Sequence, residues 1–398
     1  MEQNINILSG AKRLRNVKFS PIRTIIDKAA NLRSKGYDVI ALSAGEPNFN
    51  TPQDIKDATI AAINQNFTHY GSNRGLLKLR KLISADFFKE TSVSYNPETE
   101  IVITCGGAEA INNAILSVVD EGDEVILFTP AFVSYENLVR LCGGIVVDIP
   151  LKKEDHFQIN IENVKRSVTE KTKLIIINNP CNPTGVVYSK EVLSALSQIA
   201  VENNLLVFSD EMYSKLTYEG EKFYSIASFP GMKERSIIIN GFSKTYAMTG
   251  WRLGYILADQ ILLSNIMKTH QYSTTCATTF IQEGLANSMH SEHTINEVDF
   301  MISEFAKRRI LLLEGLDRIP KLSYVKPYGA FYIMVDVSKT GLTGEEFATR
   351  LIDEKYVATV PAVGLGKECI DFIRVSFAAS DDSIKEGLKR IEDFVNSL

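Results

Sequence analysis

Residues 236–255 read SIIINGFSKTYAMTGWRLGY. An unbroken apolar run ends in Asn240 and Gly241, Lys244 follows among small and hydroxyl residues, and Arg252 stands a short way beyond. Runs of the same shape occur at EIVITCG (100–106), DEVILFTP (123–130), TKLIIINNP (172–180), NLLVFSDE (204–211) and WRLGYILA (251–258). A strand with one wet face alternates apolar and polar residues, whereas a strand covered on both faces is apolar at every position. A buried helix is the competing reading of any single run, but short length and terminal Gly, Pro and Asn favour strands. Between the first two runs, AEAINNAILSVVDEGD (108–123) places Ile111, Ile115 and Val118 on one helical face. Strands alternating with helices predict an α/β fold around a mostly parallel central sheet.

After about residue 285 the pattern changes. Charged helical stretches surround two strand-like segments, GAFYIMVDV (329–337) and FIRVSFAAS (372–380). The final stretch, DDSIKEGLKRIEDFVNSL, sets Ile384, Leu388, Ile391 and Val395 on one face of a helix. A chain of 398 residues exceeds what one core organises. The expectation is a large α/β domain followed by a smaller α+β domain.

Composition excludes several function classes. Hydrophobic residues make up 45% and charged residues 23%, and a formal net charge of -5 is spread without a basic patch or acidic tail. Nucleic acid is therefore not an expected partner. No apolar run approaches a membrane span, and the amino-terminal stretch lacks the apolar core of a signal peptide. Five scattered cysteines without a C-x-x-C pair suit a reducing compartment, so a cytoplasmic location is expected. His290 and His293 share a helical face but lack further ligands, and no metal site is expected.

In a parallel α/β sheet, ligands bind beyond the carboxyl ends of the strands. The polar residues there are Gly106–Ala108, Pro130–Phe132, Asn182 within NPTG, Asp210 with Tyr213, and Ser243 with Lys244. A glycine turn opening a helix presents free N–H groups and a helix dipole to a phosphate, though it is equally an ordinary strand–helix turn. Ser243 and Arg252 could add donors to the same anion. Asp210 could equally cap a helix, Asn182 could be turn chemistry, and Tyr213 could be packing. GFSKT lacks the glycine that a nucleotide P-loop needs before its lysine.

Taken in order along the chain, FSPIR (19–23), LSAGEPNFNTP (42–52), HYGSNRGLLKLR (69–80), NNPCNPTG (178–185), SDEMYSKLTY (209–218), SKTYAMTGWRLGY (243–255), GAFYIM and FIRVSFA resemble the class I/II aminotransferases. These are pyridoxal-phosphate (PLP) enzymes of fold type I, similar to aspartate aminotransferase. The resemblance implies a PLP-binding domain over 49–285, a small domain over 286–398, and an arm over 1–48 that partly joins the small domain. It makes Lys244 the lysine that forms a Schiff base with PLP, a role suited to a desolvated lysine of lowered pKa. Asp210 would pair with the pyridine nitrogen, and Asn182 and Tyr213 with the ring oxygen. Gly107, Ala108, Ser243 and Arg252 would hold the phosphate, and Phe132 would stack on the ring. Arg374 would clamp the substrate carboxylate with help from Gly45 and Asn182. Tyr70 would reach the phosphate of a neighbouring subunit, implying a homodimer with active sites at its interface.

The reaction so implied moves an amino group from an L-amino acid, such as aspartate or an aromatic or neutral one, to a 2-oxo acid such as 2-oxoglutarate. Three positions depart from the family pattern. Gly241 stands where a serine often adds a phosphate contact, Ala108 where some members carry lysine or threonine, and Phe132 where tryptophan or tyrosine is common. The last two put dicarboxylate specificity in doubt, with Arg23, Arg74 and Arg140 the arginines available for a distal carboxylate. A PLP-dependent carbon–sulfur β-lyase is the alternative on the same fold. A non-catalytic ligand-sensing domain is the alternative of another class, but no DNA-binding segment precedes the resemblance.

Overall fold

The apolar runs form the centre of the molecule in the computed structural model of the protein, which describes residues 10–17, 19 and 21–398. The first nine residues of the expected arm, with Lys18 and Ser20, lie outside the described residues. Seven strands make one sheet: β1 Ile101–Thr104, β2 Glu124–Thr129, β3 Ile145–Pro150, β4 Thr172–Asn178, β5 Leu206–Asp210, β6 Ser236–Gly241 and β7 Gly254–Ala258. Their spatial order is β1-β7-β6-β5-β4-β2-β3. The pairings from β6 across to β3 are parallel, and β7 runs antiparallel to β6 and β1. The sheet is thus mostly parallel.

β4 shows why its run is apolar throughout. Leu174 and Ile176 pack on one face with Phe208, Ile237 and Ile239, while Ile175 and Ile177 pack on the other with Val207 and Ile238. Helix Gly106–Val118 covers the first face with Ile111, Ile115 and Val118, the residues its period picks out. Helix Lys190–Glu202 covers the second with Leu193, Leu196 and Ile199. Each such side chain contributes about 1.5–3 kcal/mol on burial, so both faces fix the register. The sequence pattern does not announce β3, because it is the edge strand: Ile145 is exposed and Asp148 interrupts the run.

A second, antiparallel sheet has the order β10-β11-β9-β8, from β8 Ser323–Tyr324, β9 Tyr332–Asp336, β10 Val360–Pro361 and β11 Phe372–Ser376. With helices Glu292–Leu316 and Asp381–Asn396 it encloses another core, including Phe305, Phe331, Ile333, Val335, Ile373 and Val375. The last helix contributes Ile384, Leu388, Ile391 and Val395, as its stripe predicts. The amino-terminal segment joins this core through Leu42, and Ile40–Ala41 pairs in parallel with Val357–Ala358. Met212 and Tyr213, just past β5, pack in the same core, so the two cores meet at the carboxyl end of the main sheet.

Candidate active site

β5 delivers Asp210 to that end of the sheet, where it is buried. One carboxylate oxygen accepts the Tyr135 hydroxyl at 2.6 Å and the other accepts the Met212 N–H at 3.0 Å. Burial raises the Asp210 pKa, opposed by those two hydrogen bonds and by the positive charge of Lys244. A cation brought against the carboxylate would complete its pairing. No helix follows Asp210, so it is not a helix cap; the bond to Met212 closes a turn.

The loop after β6 presents Lys244. Its Nζ donates to the Gly45 carbonyl at 2.6 Å and lies 5.9 Å from the centre of the Phe331 ring. Loss of hydration lowers the lysine pKa to about 8; Glu46 and Asp210 work against the shift, and Arg374 and Arg252 reinforce it. An amine in such surroundings is unprotonated in a larger fraction near neutral pH than an ordinary lysine, which favours it as a nucleophile or base.

Arg374, on β11, reaches the same space from the second core. Its NH1 donates to Asn182 Oδ1 and its NH2 to the Ser43 carbonyl, each at 3.1 Å, and its guanidinium lies 4.5 Å from the centre of the Tyr332 ring. Its Nε is buried and has no partner among the described residues. A buried donor left unpaired is costly, and a carboxylate would satisfy it. Asn182 is set by its own loop: its N–H donates to Asn178 Oδ1 at 2.7 Å, and the Asn178 amide donates to the Asp210 carbonyl at 2.9 Å. The turn chemistry of NNPCNPTG thus coexists with a contact from Asn182 to Arg374. Tyr213 hydrogen-bonds Tyr332, hydroxyl to hydroxyl, at 3.2 Å, and burial pushes its pKa up.

The glycine turn lies alongside. Cys105, at the N-cap of helix Gly106–Val118, makes no side-chain cap, so the first N–H groups, including those of Gly107 and Ala108, are not capped by it. The exposed guanidinium of Arg252 sits over this turn, with NH2 only 2.6 Å from where a Cβ on Gly106 would be, and its NH1 donates to the Thr249 carbonyl at 2.7 Å. Arg252 is in the left-handed region (φ 54°), so the expected strand at 251–258 begins only at Gly254. Gly241 faces Gly254 across β6 and β7, and a Cβ there would stand 2.9 Å from the Gly254 Cα. A serine at position 241 would therefore require the facing strand to shift. Ser243 is buried at the head of the Lys244 loop.

Phe132 is half-buried, edge-on to Tyr135 with ring centres 5.7 Å apart, and so next to the Asp210 partner. Tyr70 is 88% exposed and lines a surface cavity of about 300 Å³ with Phe67, His69 and Thr279, outside the buried cluster of its own chain. Of the arginines considered for a distal carboxylate, Arg74 donates to the Thr99 carbonyl, Arg140 pairs with Glu136 on the surface, and Arg23 is exposed. His290 and His293 lie on the surface beside Asp86 and Asp54. Among the described residues no group of three or more His, Cys, Asp or Glu is placed to hold a metal, and no helix is long and apolar enough to cross a membrane. Sequence reasoning missed Tyr135, Asn178, Phe331 and Tyr332. Only GAFYIM and NNPCNPTG, which contain the last three, gave a signal, and nothing local distinguishes Tyr135.

Comparison with known proteins gives this arrangement its class. The sequence profile of aminotransferase class I and II matches residues 37–391. The chain is 42% identical over 380 residues to an aspartate aminotransferase of Pyrococcus abyssi, covering 96% of each chain. It is 38% identical over 380 residues to aromatic-amino-acid aminotransferase 2 of Thermococcus litoralis, again covering 96% of each. Among solved structures, aspartate aminotransferase from Thermus thermophilus with maleate superposes with a TM-score of 0.92 at 36% identity, covering 98% of this chain and all of that one. The chain belongs to the class I and II aminotransferases, with the fold-type I architecture expected from its sequence. It is a PLP-dependent transaminase. Its residues fit that cofactor: an amine of lowered pKa, a buried carboxylate short of a cation, a helix turn under a guanidinium, and an arginine with an unpaired buried Nε.

Proposed function

We propose that this transaminase takes its amino group from an L-amino acid, either aspartate or an aromatic or other neutral one, and passes it to a 2-oxo acid such as 2-oxoglutarate. The observation that carries the proposal is the convergence of the Lys244 amine, its pKa near 8, with Arg374, whose buried Nε is unpaired. PLP, when bound, supplies an electron sink that acidifies the substrate Cα–H. Lys244 carries the proton away from Cα and delivers it back within the site, as base and then acid. Arg374 holds the substrate α-carboxylate through its fork, backed by Asn182 and the Gly45 backbone.

Asp210 holds the cofactor's ring nitrogen, Asn182 and Tyr213 its ring oxygen, and Phe132 its face. Gly107, Ala108, Ser243 and Arg252 hold its phosphate. Tyr70, exposed on its own chain, serves the neighbouring subunit of a homodimer. The large domain spans 49–285 and the small one 286–398, with 1–48 an arm that partly joins the latter; the separate cores and the Ile40–Val357 pairing support that division. The enzyme works in the cytoplasm and needs neither nucleic acid nor membrane. Arg74 and Arg140 are already engaged, which weights the donor toward aromatic and neutral side chains.

The test is the absorption spectrum of the holoenzyme during single additions of a panel of amino acids. Conversion of the cofactor to its amine form by one donor, reversed by 2-oxoglutarate, is expected. Pyruvate and ammonia released from cystathionine without an acceptor would replace transamination by β-elimination. Sedimentation as a monomer would remove the role given to Tyr70.

A further inference from the structure

Glu109 is the acidic residue in the first turn of helix Gly106–Val118, the turn that holds Gly107 and Ala108. A bare carboxylate there would repel any anion at the helix end. Its side chain instead folds back into the protein. Oε2 accepts the Cys105 N–H at 2.5 Å, while Oε1 accepts the Asn113 amide at 2.7 Å and the Ser273 hydroxyl at 3.3 Å. Oε1 also lies 2.7 Å from Nδ1 of His270, 161 residues away on helix Gln260–Ser273.

His270 is fully buried, and its other nitrogen, Nε2, lies 2.8 Å from the Asn73 carbonyl. Both ring nitrogens therefore face acceptors. Burial works to raise the Glu109 pKa, but the hydrogen bonds from His270 and Cys105 outweigh it and the net shift is downward, so this carboxyl does not supply the missing proton. A neutral imidazole has one N–H and could satisfy only one of its two acceptors. Only an imidazolium can donate in both contacts, and such a cation would stand directly against the Glu109 carboxylate.

We propose that His270 is a positioning residue for the cofactor: by neutralising Glu109 it keeps the Gly107–Ala108 turn receptive to the cofactor's phosphate. The inference rests on that turn being the phosphate cradle. It calls for an effect on the phosphate alone, and PLP and pyridoxal differ by that group.

The experiment titrates the full-length apoprotein with PLP and with pyridoxal, for wild type and for His270→Gln, Arg252→Gln and the double variant Glu109→Gln/His270→Gln. Glutamine keeps one donor and removes the charge. His270→Gln is expected to weaken PLP binding about tenfold and to leave pyridoxal binding unchanged. The double variant is expected to recover most of the loss, because it also removes the uncompensated carboxylate. Unchanged PLP binding in His270→Gln, an equal loss for pyridoxal, or no recovery in the double variant would each overturn the proposal. Arg252→Gln is the control on the cradle: if it leaves the preference for PLP over pyridoxal intact, the cradle reading fails first. Should His270→Gln not fold, Glu109→Gln alone is decisive. It is expected to bind PLP at least as tightly as wild type, and weaker binding would refute the role of charge.

Discussion

Asp210 and Glu211 are consecutive buried acids that face opposite sides of the main sheet. Asp210 points to the side of Tyr135 and Lys244 and is met by a hydroxyl, a backbone N–H and a nearby positive charge. Glu211 points to the other side, where the hydroxyls of Ser209 and Ser225 reach Oε1 at 3.0 and 2.7 Å. Its pKa rises to about 8, through burial first and also through the like charge of Asp210. Burial is common to both. Hydrogen bonds favour the charged form of both; the neighbouring charge differs, Lys244 favouring ionised Asp210 and Asp210 opposing ionised Glu211. Strand alternation sorts the two into those environments.

Variants that strike the Asp210 side should hurt function most. Lys244→Ala should lower turnover by at least about a thousandfold while the fold survives, since nucleophile and proton carrier go together; steady-state assay with circular dichroism decides it, and retained activity would break the comparison at its centre. Asp210→Asn should cost about a hundredfold in kcat, because a neutral amide cannot pair with the ring cation. For Arg374→Lys the expected change is a rise of about tenfold or more in KM, through loss of the two-pronged fork. A KM unchanged across donors would count against that clamp.

Two further variants sharpen the contrast. Tyr135→Phe removes a hydrogen bond that lowers the Asp210 pKa, so Asp210 protonates at higher pH. The acid limb of kcat/KM should move upward in pH, with a loss of only about three- to tenfold at neutrality. Glu211→Gln should leave activity within about twofold, as an isostere of the protonated acid. The stability sign is fixed by the raised pKa. Glu211 contributes fully below the ordinary glutamate range and loses that contribution as pH rises to about 8. Relative to wild type, Glu211→Gln should therefore gain stability between about pH 4.5 and 8 and level off above. Denaturant titration across that range would show it, and a flat difference would mean that Glu211 is already ionised.

Much of this was legible along the chain. The strands buried on both faces announced themselves by unbroken apolar runs, and Lys244, Asp210, Asn182 and Arg374 lie in motifs that carry a family resemblance. β3 escaped because an edge strand has too little burial to leave a run. Tyr135 escaped because its partner lies 75 residues away and nothing in SYENL marks its hydroxyl as aimed inward. His270 escaped for the same reason: a lone histidine on a helix face has no local signature, and its acceptors come from two other parts of the chain.

Local sequence by itself marked most strands of the main sheet and the helices with a clear apolar stripe, because period and apolar content follow directly from which faces are covered. It also carried the ordered motifs whose family resemblance implies the class of chemistry. Only the tertiary structure decided which groups meet: Arg374 with the Ser43 carbonyl 331 residues away, Lys244 with the Gly45 carbonyl, and Asp210 with Tyr135 rather than with solvent. Ionisation state and hydrogen-bond satisfaction depend on surroundings within a few ångströms, and residues distant in sequence supply those surroundings only once the two cores have closed on each other.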